Sequence, residues 1–287
     1  MSLQRIPQPD EARHLVRSWQ REGLTVGLVP TMGALHEGHL SLIGASVEQC
    51  DRTAISIYVN PTQFAPEEDL EDYPRRLDRD CRVAAEHGAD LVFCPTDEMM
   101  YPEGFCTHVE QEGLTEALEG AFRPTHFRGV LTVVCKLFNI LPADRAYFGQ
   151  KDFQQTVVIR RMAGDLNMPV DVRVRPTVRE KDGLALSSRN EYLNPREREE
   201  APCLYRALRR ARQLYASGVT DAQAARNAMR GIIAESPLAR PDYVEIVDRE
   251  TLEPVEELTD RAVAVLAVHI GETRLIDNHP LGEELPT

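Results

Sequence analysis

His36 and His39 lie three residues apart in Pro30-Thr-Met-Gly-Ala-Leu-His-Glu-Gly-His39, directly after the apolar run Thr25–Val29. At helical spacing both imidazoles project from one side of a first turn. An imidazole pair can donate hydrogen bonds to an anion, supply half of a metal site, or sit in solvent. Position separates these readings. Ligands of a parallel sheet collect at the carboxyl ends of its strands, and a helix N-terminus there offers N–H groups and partial positive charge. Gly33 and Gly38 permit close backbone approach. Phosphate binding by Met32–His39 is therefore the expectation, with metal ligation and plain exposure left open.

Two further clusters carry cations or hydroxyls. Phe148-Gly149-Gln150-Lys151-Asp152 follows a strand pattern and opens a helix, which suits a lysine meeting phosphate. Gly183-Leu-Ala-Leu-Ser187-Ser188-Arg189-Asn190 offers hydroxyl and guanidinium donors in a short loop. Taken singly, each reads better as an ordinary turn, the first with a surface lysine and the second capped before the next helix. Gln63 in Asn60-Pro-Thr-Gln-Phe64 and Gln155 one turn after Lys151 can hold a small polar acid. His126, in Arg123-Pro-Thr-His-Phe-Arg-Gly129, is a weak candidate base. Asp78 and Asp80 read as solvated helix acids, with magnesium binding as the second reading.

These clusters need elements to hold them. Strand patterns fall at Thr25–Val29, Thr53–Val59, Leu91–Cys94, Arg145–Phe148 and Val170–Val174, with Pro30 ending the first. Helical patterns fall around Leu15 and Trp19, at His39–Gln49, Arg75–His87, Val130–Leu141 and Asp152–Leu166, and a polar loop is expected over 60–72. Such alternation predicts an α/β fold: a Rossmann-like parallel sheet with flanking helices. Past Pro176 the character changes. A charged helix over Pro195–Ala216, a second helix capped by Thr220, and strands at Tyr243–Val247, Ala262–Ile270 and Thr273–Ile276 predict a smaller α+β domain. Residues 1–176 and 177–287 are thus the expected domains.

Composition limits the partners. The net charge is −13, so neither nucleic acid nor an anionic membrane is attracted in general, and any bound anion needs a local cluster of donors. The N-terminus lacks the apolar run of a signal peptide and no stretch suits a membrane span. Six scattered cysteines without a C-x-x-C pair predict reduced thiols in a cytoplasmic protein.

H-x-G-H after a strand resembles the signature of the nucleotidyltransferases that include class I aminoacyl-tRNA synthetases, and residues 183–190 resemble a variant of their mobile K-M-S-K-S loop. Together PTMGALHEGH (30–39), VNPTQF (59–64), RPTHFRGV (123–130), FGQKDFQQ (148–155), DGLALSSRN (182–190) and RLIDN (274–278) resemble the pantoate–β-alanine ligase family across the chain. The resemblance implies that pantoate attacks the α-phosphate of ATP, that β-alanine then attacks the pantoyl adenylate, and that Mg²⁺ accompanies ATP. It implies ATP contacts from Met32, Gly33, Ala34, Leu35, His36, Glu37, Gly38 and His39, and from Gly149, Gln150, Lys151, Asp152, Val178, Leu186, Ser187, Ser188 and Arg189. Gln63 and Gln155 would hold pantoate, with Gln63 also near β-alanine. His39 would be catalytic, and His36, Lys151 and Arg189 suit the same stabilisation of phosphate charge. A homodimer and a second domain closing over ATP are further implications. The chain departs from the pattern in having Gln150 for a common acid and Thr62 for a frequent methionine. A cytidylyltransferase would share H-x-G-H, and an inactive nucleotide-binding regulator is the alternative outside enzymes.

Overall fold

Short β-branched and apolar runs alternate with amphipathic helices through the first 175 residues, and the central runs become strands buried on both faces, whereas the edge strands Gln4–Ile6 and Asp171–Arg175 are largely exposed or half-buried. A computed structural model describes residues 3–65 and 70–284. Its strands are β1 (Gln4–Ile6), β2 (Val26–Thr31), β3 (Arg52–Ile57), β4 (Leu91–Phe93), β5 (Arg145–Gly149) and β6 (Asp171–Arg175). They form one parallel sheet in the order β1-β4-β3-β2-β5-β6. The long helices of this part are α1 (Pro9–Arg21), α2 (Glu37–Gln49), α3 (Leu77–Glu86), α6 (His126–Ile140) and α7 (Phe153–Asp165), with single turns α4 (Asp97–Met100) and α5 (Glu119–Phe122). Alternate strand residues divide between two cores. Leu28, Ala54, Leu91 and Phe93 pack with Val16, Leu131 and Ile159, whereas Val29, Ile55 and Val92 pack with Ile43 and Ala84.

Strand order reverses between β2 and β5, since β3 and β4 lie on one side of them and β6 on the other. The β2–β5 ladder registers Gly27 with Arg145 and Leu28 with Ala146, while β2 runs on to Thr31 and β5 to Gly149. A crevice at the carboxyl ends of such a switch point is where open α/β sheets bind ligands. Pro30 does not end β2 as expected. It pairs in register with Ser56 of β3, beyond the stretch that needs donors toward β5, so its missing N–H is tolerated.

The remainder carries α8 (Pro195–Glu200), α9 (Cys203–Ala216), α10 (Ala222–Ala234) and an antiparallel sheet of β7 (Ala239–Asp248), β8 (Ala262–Ile270) and β9 (Thr273–Pro280). Its core joins Leu204, Leu208, Met229, Ile246 and Leu266. The single helix expected over Pro195–Ala216 is broken ahead of Cys203 by Pro202, and Asp221 rather than Thr220 caps α10 by accepting from the Gln223 N–H. By contacts the chain forms two compact units: residues 1–149 with 154–175, and residues 150–153 with 176–287. Residues 66–69 of the expected 60–72 loop lie outside the described residues. Among the described residues no helix is long and apolar enough to cross a membrane, and all six cysteines are unbridged.

Candidate active site

Met32–His39 leaves β2 through backbone that few residues adopt. Gly33 has φ 89° and Ala34 φ 51°, in the left-handed region that penalises a Cβ by ~1 kcal/mol or more. Two side chains impose this path. Thr31 Oγ1 donates to the Ser56 carbonyl at 2.7 Å and accepts from the Gly33 N–H at 3.2 Å. Asp80, in the first turn of α3, accepts from the N–H groups of Ala34 at 2.8 Å and Leu35 at 3.1 Å. Asp80 is completely buried, so the reading of it as a solvated acid is corrected. Its oxygens hold the loop, whereas Asp78 is exposed and pairs with Arg5.

α2 begins two residues earlier than the expected His39, because His36 is its N-cap. His36 Nδ1 accepts from the Gly38 N–H at 3.2 Å, and His39 Nδ1 accepts from the His36 N–H at 3.4 Å. The capping box therefore uses both Nδ1 lone pairs and puts the proton of each neutral ring on Nε2. The ring centroids stand 4.1 Å apart. Expected as a row of bare amides, the loop instead directs its N–H groups at Gly33, Ala34, Leu35, His36 and Gly38 to internal acceptors.

Gln63 closes a 3-10 turn, Pro61–Gln63, just past β3. Its amide orientation is set by Asn60, which is 1% exposed. Asn60 Nδ2 donates to Gln63 Oε1 at 3.1 Å and to the Gly129 carbonyl at 3.2 Å. Asn60 Oδ1 accepts from Tyr101 Oη at 2.8 Å and Thr62 Oγ1 at 2.9 Å. Burial pushes the Tyr101 phenol pKa up, which keeps it a donor. With Oε1 occupied, Gln63 presents Nε2–H donors, and one meets Met32 Sδ at 3.2 Å, a weak acceptor that a carboxylate or hydroxyl can replace. Gly129 in α6 is required for this packing, since a Cβ there would stand 2.4 Å from the Thr62 carbonyl oxygen. His126 Nδ1 donates to the Gln63 carbonyl at 2.9 Å and its Nε2 faces Arg123 Nη1 at 3.3 Å, so this histidine braces Gln63. Gln155 lies half-buried on α7. Its neighbour Gln154 is buried and holds Glu119 N–H and the Leu114 and Ala117 carbonyls.

Gly149 ends β5 in the first unit, and Gln150, Lys151 and Asp152 form a 3-10 turn in the second. Lys151 Nζ lies 3.3 Å from Asp152 Oδ1. Val178 and Leu186 are joined by a backbone bond of 3.0 Å beside the Arg179–Ala185 bridge, so these two expected contacts are neighbours. Ser187 caps the 3-10 turn Ser188–Tyr192 by accepting from the Arg189 N–H at 3.3 Å. Arg198 clamps the hairpin from below, donating to Glu180 and Asp182 at 2.7 Å each. Burial opposes ionisation of Asp182, but the Arg198 bond and the Leu184 N–H outweigh it and hold its pKa below the usual range.

Among the described residues no group of three or more His, Cys, Asp or Glu is arranged to hold a metal ion. The residues left unassigned by sequence reading are Asn60 and Tyr101, whose side chains act through Gln63. Asn60 sits within the quoted VNPTQF motif, but Tyr101 carries no local signal.

The family model described as pantoate-beta-alanine ligase matches residues 4–280. The pantothenate synthetase of Moorella thermoacetica is 55% identical over 266 residues, covering 93% of this chain and 94% of that protein. A crystal structure of pantothenate synthetase from Thermus thermophilus superposes with a TM-score of 0.93 at 46% identity, covering 98% of this chain and 100% of that one. A pantoate-beta-alanine ligase from Francisella tularensis, solved with beta-gamma ATP and beta-alanine, gives a TM-score of 0.81 at 31% identity, covering 99% and 100%.

Proposed function

The chain belongs to the pantoate–β-alanine ligase family, and from that premise we infer how its own residues carry out the ATP-dependent condensation of pantoate with β-alanine. The reaction forms an amide bond. We assign it two steps. A pantoate carboxylate oxygen attacks the α-phosphorus of ATP, the bond to the leaving pyrophosphate breaks, and pantoyl adenylate forms. The β-alanine amine then attacks the acyl carbon, a C–N bond forms, and AMP leaves as the C–O bond breaks. The ammonium of β-alanine gives up two protons in this second step, one to become the attacking amine and one as the amide forms, and solvent or phosphate takes them.

The first step moves no proton, since pantoate is ionised at neutral pH. Its barrier lies in charge on the phosphates and in alignment. The observation that carries the assignment is the H-x-G-H capping box, which makes His36 and His39 Nε2–H donors at the carboxyl end of β2. His39 is assigned to the phosphate that gains charge, with His36, Lys151 and Arg189 adding donors. Ser187, Ser188 and the backbone of Val178 and Leu186 are assigned to ATP, and Gln63 and Gln155 to pantoate. Losing one well-placed donor of this kind costs about 3–4 kcal/mol in the barrier. Magnesium enters with the nucleotide as the MgATP complex, which fits a protein whose buried Asp80 is already committed to two backbone N–H groups. A homodimer in the cytoplasm completes the proposal.

The test is to incubate the protein with MgATP and D-pantoate and omit β-alanine. One equivalent of pyrophosphate and bound pantoyl adenylate are expected, with AMP and pantothenate appearing once β-alanine is added. Pyrophosphate formed only after β-alanine is present would overturn the adenylate step.

A further inference from the structure

β9 carries Arg274-Leu-Ile-Asp277-Asn278, a sequence motif to which no part of the reaction has been assigned. Asp277 and Asn278 are each 3% exposed, and their backbone is fixed by pairing with Leu266 and Val265 of β8. Asn278 turns its whole amide on the segment that carries Lys151. Its Nδ2 donates to two successive carbonyls, Gln150 O and Lys151 O, at 2.9 Å each. Its Oδ1 accepts from Gln150 Nε2 at 3.4 Å.

The residue before it serves the other nucleotide-contacting segment. The Asp277 carboxylate takes the Arg179 guanidinium at two points, 2.6 and 2.9 Å, with side chains 1% and 6% exposed. That guanidinium also donates to the Gly183 carbonyl at 3.0 Å and stacks 4.9 Å from the Tyr205 ring centroid. Arg179 bridges to Ala185, one residue before Leu186. The Lys151 turn and the hairpin leading into Ser187–Arg189 are both irregular backbone, which a rigid strand must hold if their donors are to be preorganised.

We propose that Asp277 and Asn278 are positioning residues for the nucleotide: Asn278 sets the Lys151 turn and Asp277 sets the hairpin that delivers Leu186–Arg189. The inference rests on the assignment of these two segments to ATP. Neither side chain touches the reacting atoms. They act by fixing, from adjacent places on one strand, the mutual register of two donor groups. A displacement of about 1 Å in such a group lowers rate on the order of 100-fold.

The decisive variant is Asn278→Asp, which keeps the shape but replaces the donor nitrogen with an oxygen facing two carbonyl oxygens. Steady-state kinetics with ATP and pantoate varied separately should show kcat/KM for ATP lowered about 100-fold, with a raised KM for ATP. The KM for pantoate should stay within about twofold, because Gln63 is held separately by Asn60 and His126. A purely structural role would instead lower the active fraction and leave both KM values unchanged, and that result overturns the proposal. If Asn278→Asp does not fold, Asn278→Ser removes the donors without adding charge and is expected to show the same split. Wild-type protein that forms no pyrophosphate from ATP and pantoate would sink the functional reading and this inference together. Active wild type beside an unaffected Asn278→Asp sinks this inference alone.

Discussion

Asp80 shows how one buried carboxylate can shape the loop proposed to bind phosphate without itself being a phosphate donor. Its charge is met by the N–H groups of Ala34 and Leu35 and by Arg79 Nη1 at 3.3 Å. Because hydrogen bonds to a charged group contribute more than neutral ones, Asp80→Asn should destabilise the protein by about 2 kcal/mol. It should also raise the KM for ATP, since one oxygen cannot hold both N–H groups and Ala34 loses the constraint on its left-handed φ. Urea unfolding paired with kinetics checks this, and a change below about 0.5 kcal/mol with normal ATP affinity would refute it. Sequence alone marks the residues that could meet phosphate but not this one. A short acid on a polar helix reads as solvated, and its burial depends on α3 packing beneath a loop more than forty residues earlier in the chain. Gln150 is legible in the sequence only as a departure. The structure gives it a donor bond to Asn278 Oδ1, the longest of that amide's bonds at 3.4 Å.

The strands and helices carrying chemistry are legible wherever periodicity is strong, and their ends move where a polar side chain or a neighbour decides them. His36 pulls the start of α2 forward because an imidazole can cap as well as bind. β1 escapes the sequence reading because three residues at a sheet edge have no period to detect. Gln63 is expected in the site, but the polarity of its amide cannot be read without Tyr101, which lies beyond β4 in the sequence. That arrangement makes a specific forecast for the Pro61–Gln63 turn. Thr62 and Tyr101 both donate to Asn60 Oδ1, so either hydroxyl alone can keep Asn60 from flipping. Thr62→Val and Tyr101→Phe should each raise the KM for pantoate by about threefold or less, and the double variant by far more than their product. Additive effects in this double-mutant cycle would rule the shared role out.

Across the molecule, the acidic net charge of −13 means that anionic substrates are held by local donors against the general field. Stability has its own pH dependence in the second unit. Burial lowers the His279 pKa below its ordinary 6.5, with the Arg179 charge adding to this and the Glu283 carbonyl opposing it. The unfolded chain therefore binds a proton as pH falls through 6.5 while the folded chain does not. The stabilisation is complete above 6.5 and is lost as pH drops toward the folded-state value. His279→Gln, which can still donate to Glu283, should flatten the fall in unfolding free energy between about pH 7.5 and 5.5, where one proton is worth at most about 1.4 kcal/mol per pH unit. Equal losses in both proteins would assign the pH dependence elsewhere.

The excursion of Gln150–Phe153 into the second unit also bears on how the protein can be divided. No single cut yields both units whole. A fragment starting at Pro176 would leave the Asn278 amide, 3% exposed in the full chain, without the two carbonyls it serves. Each such bond contributes about 0.5–1.5 kcal/mol, so the second unit keeps these contacts only when it is moved together with a turn encoded in the middle of the first.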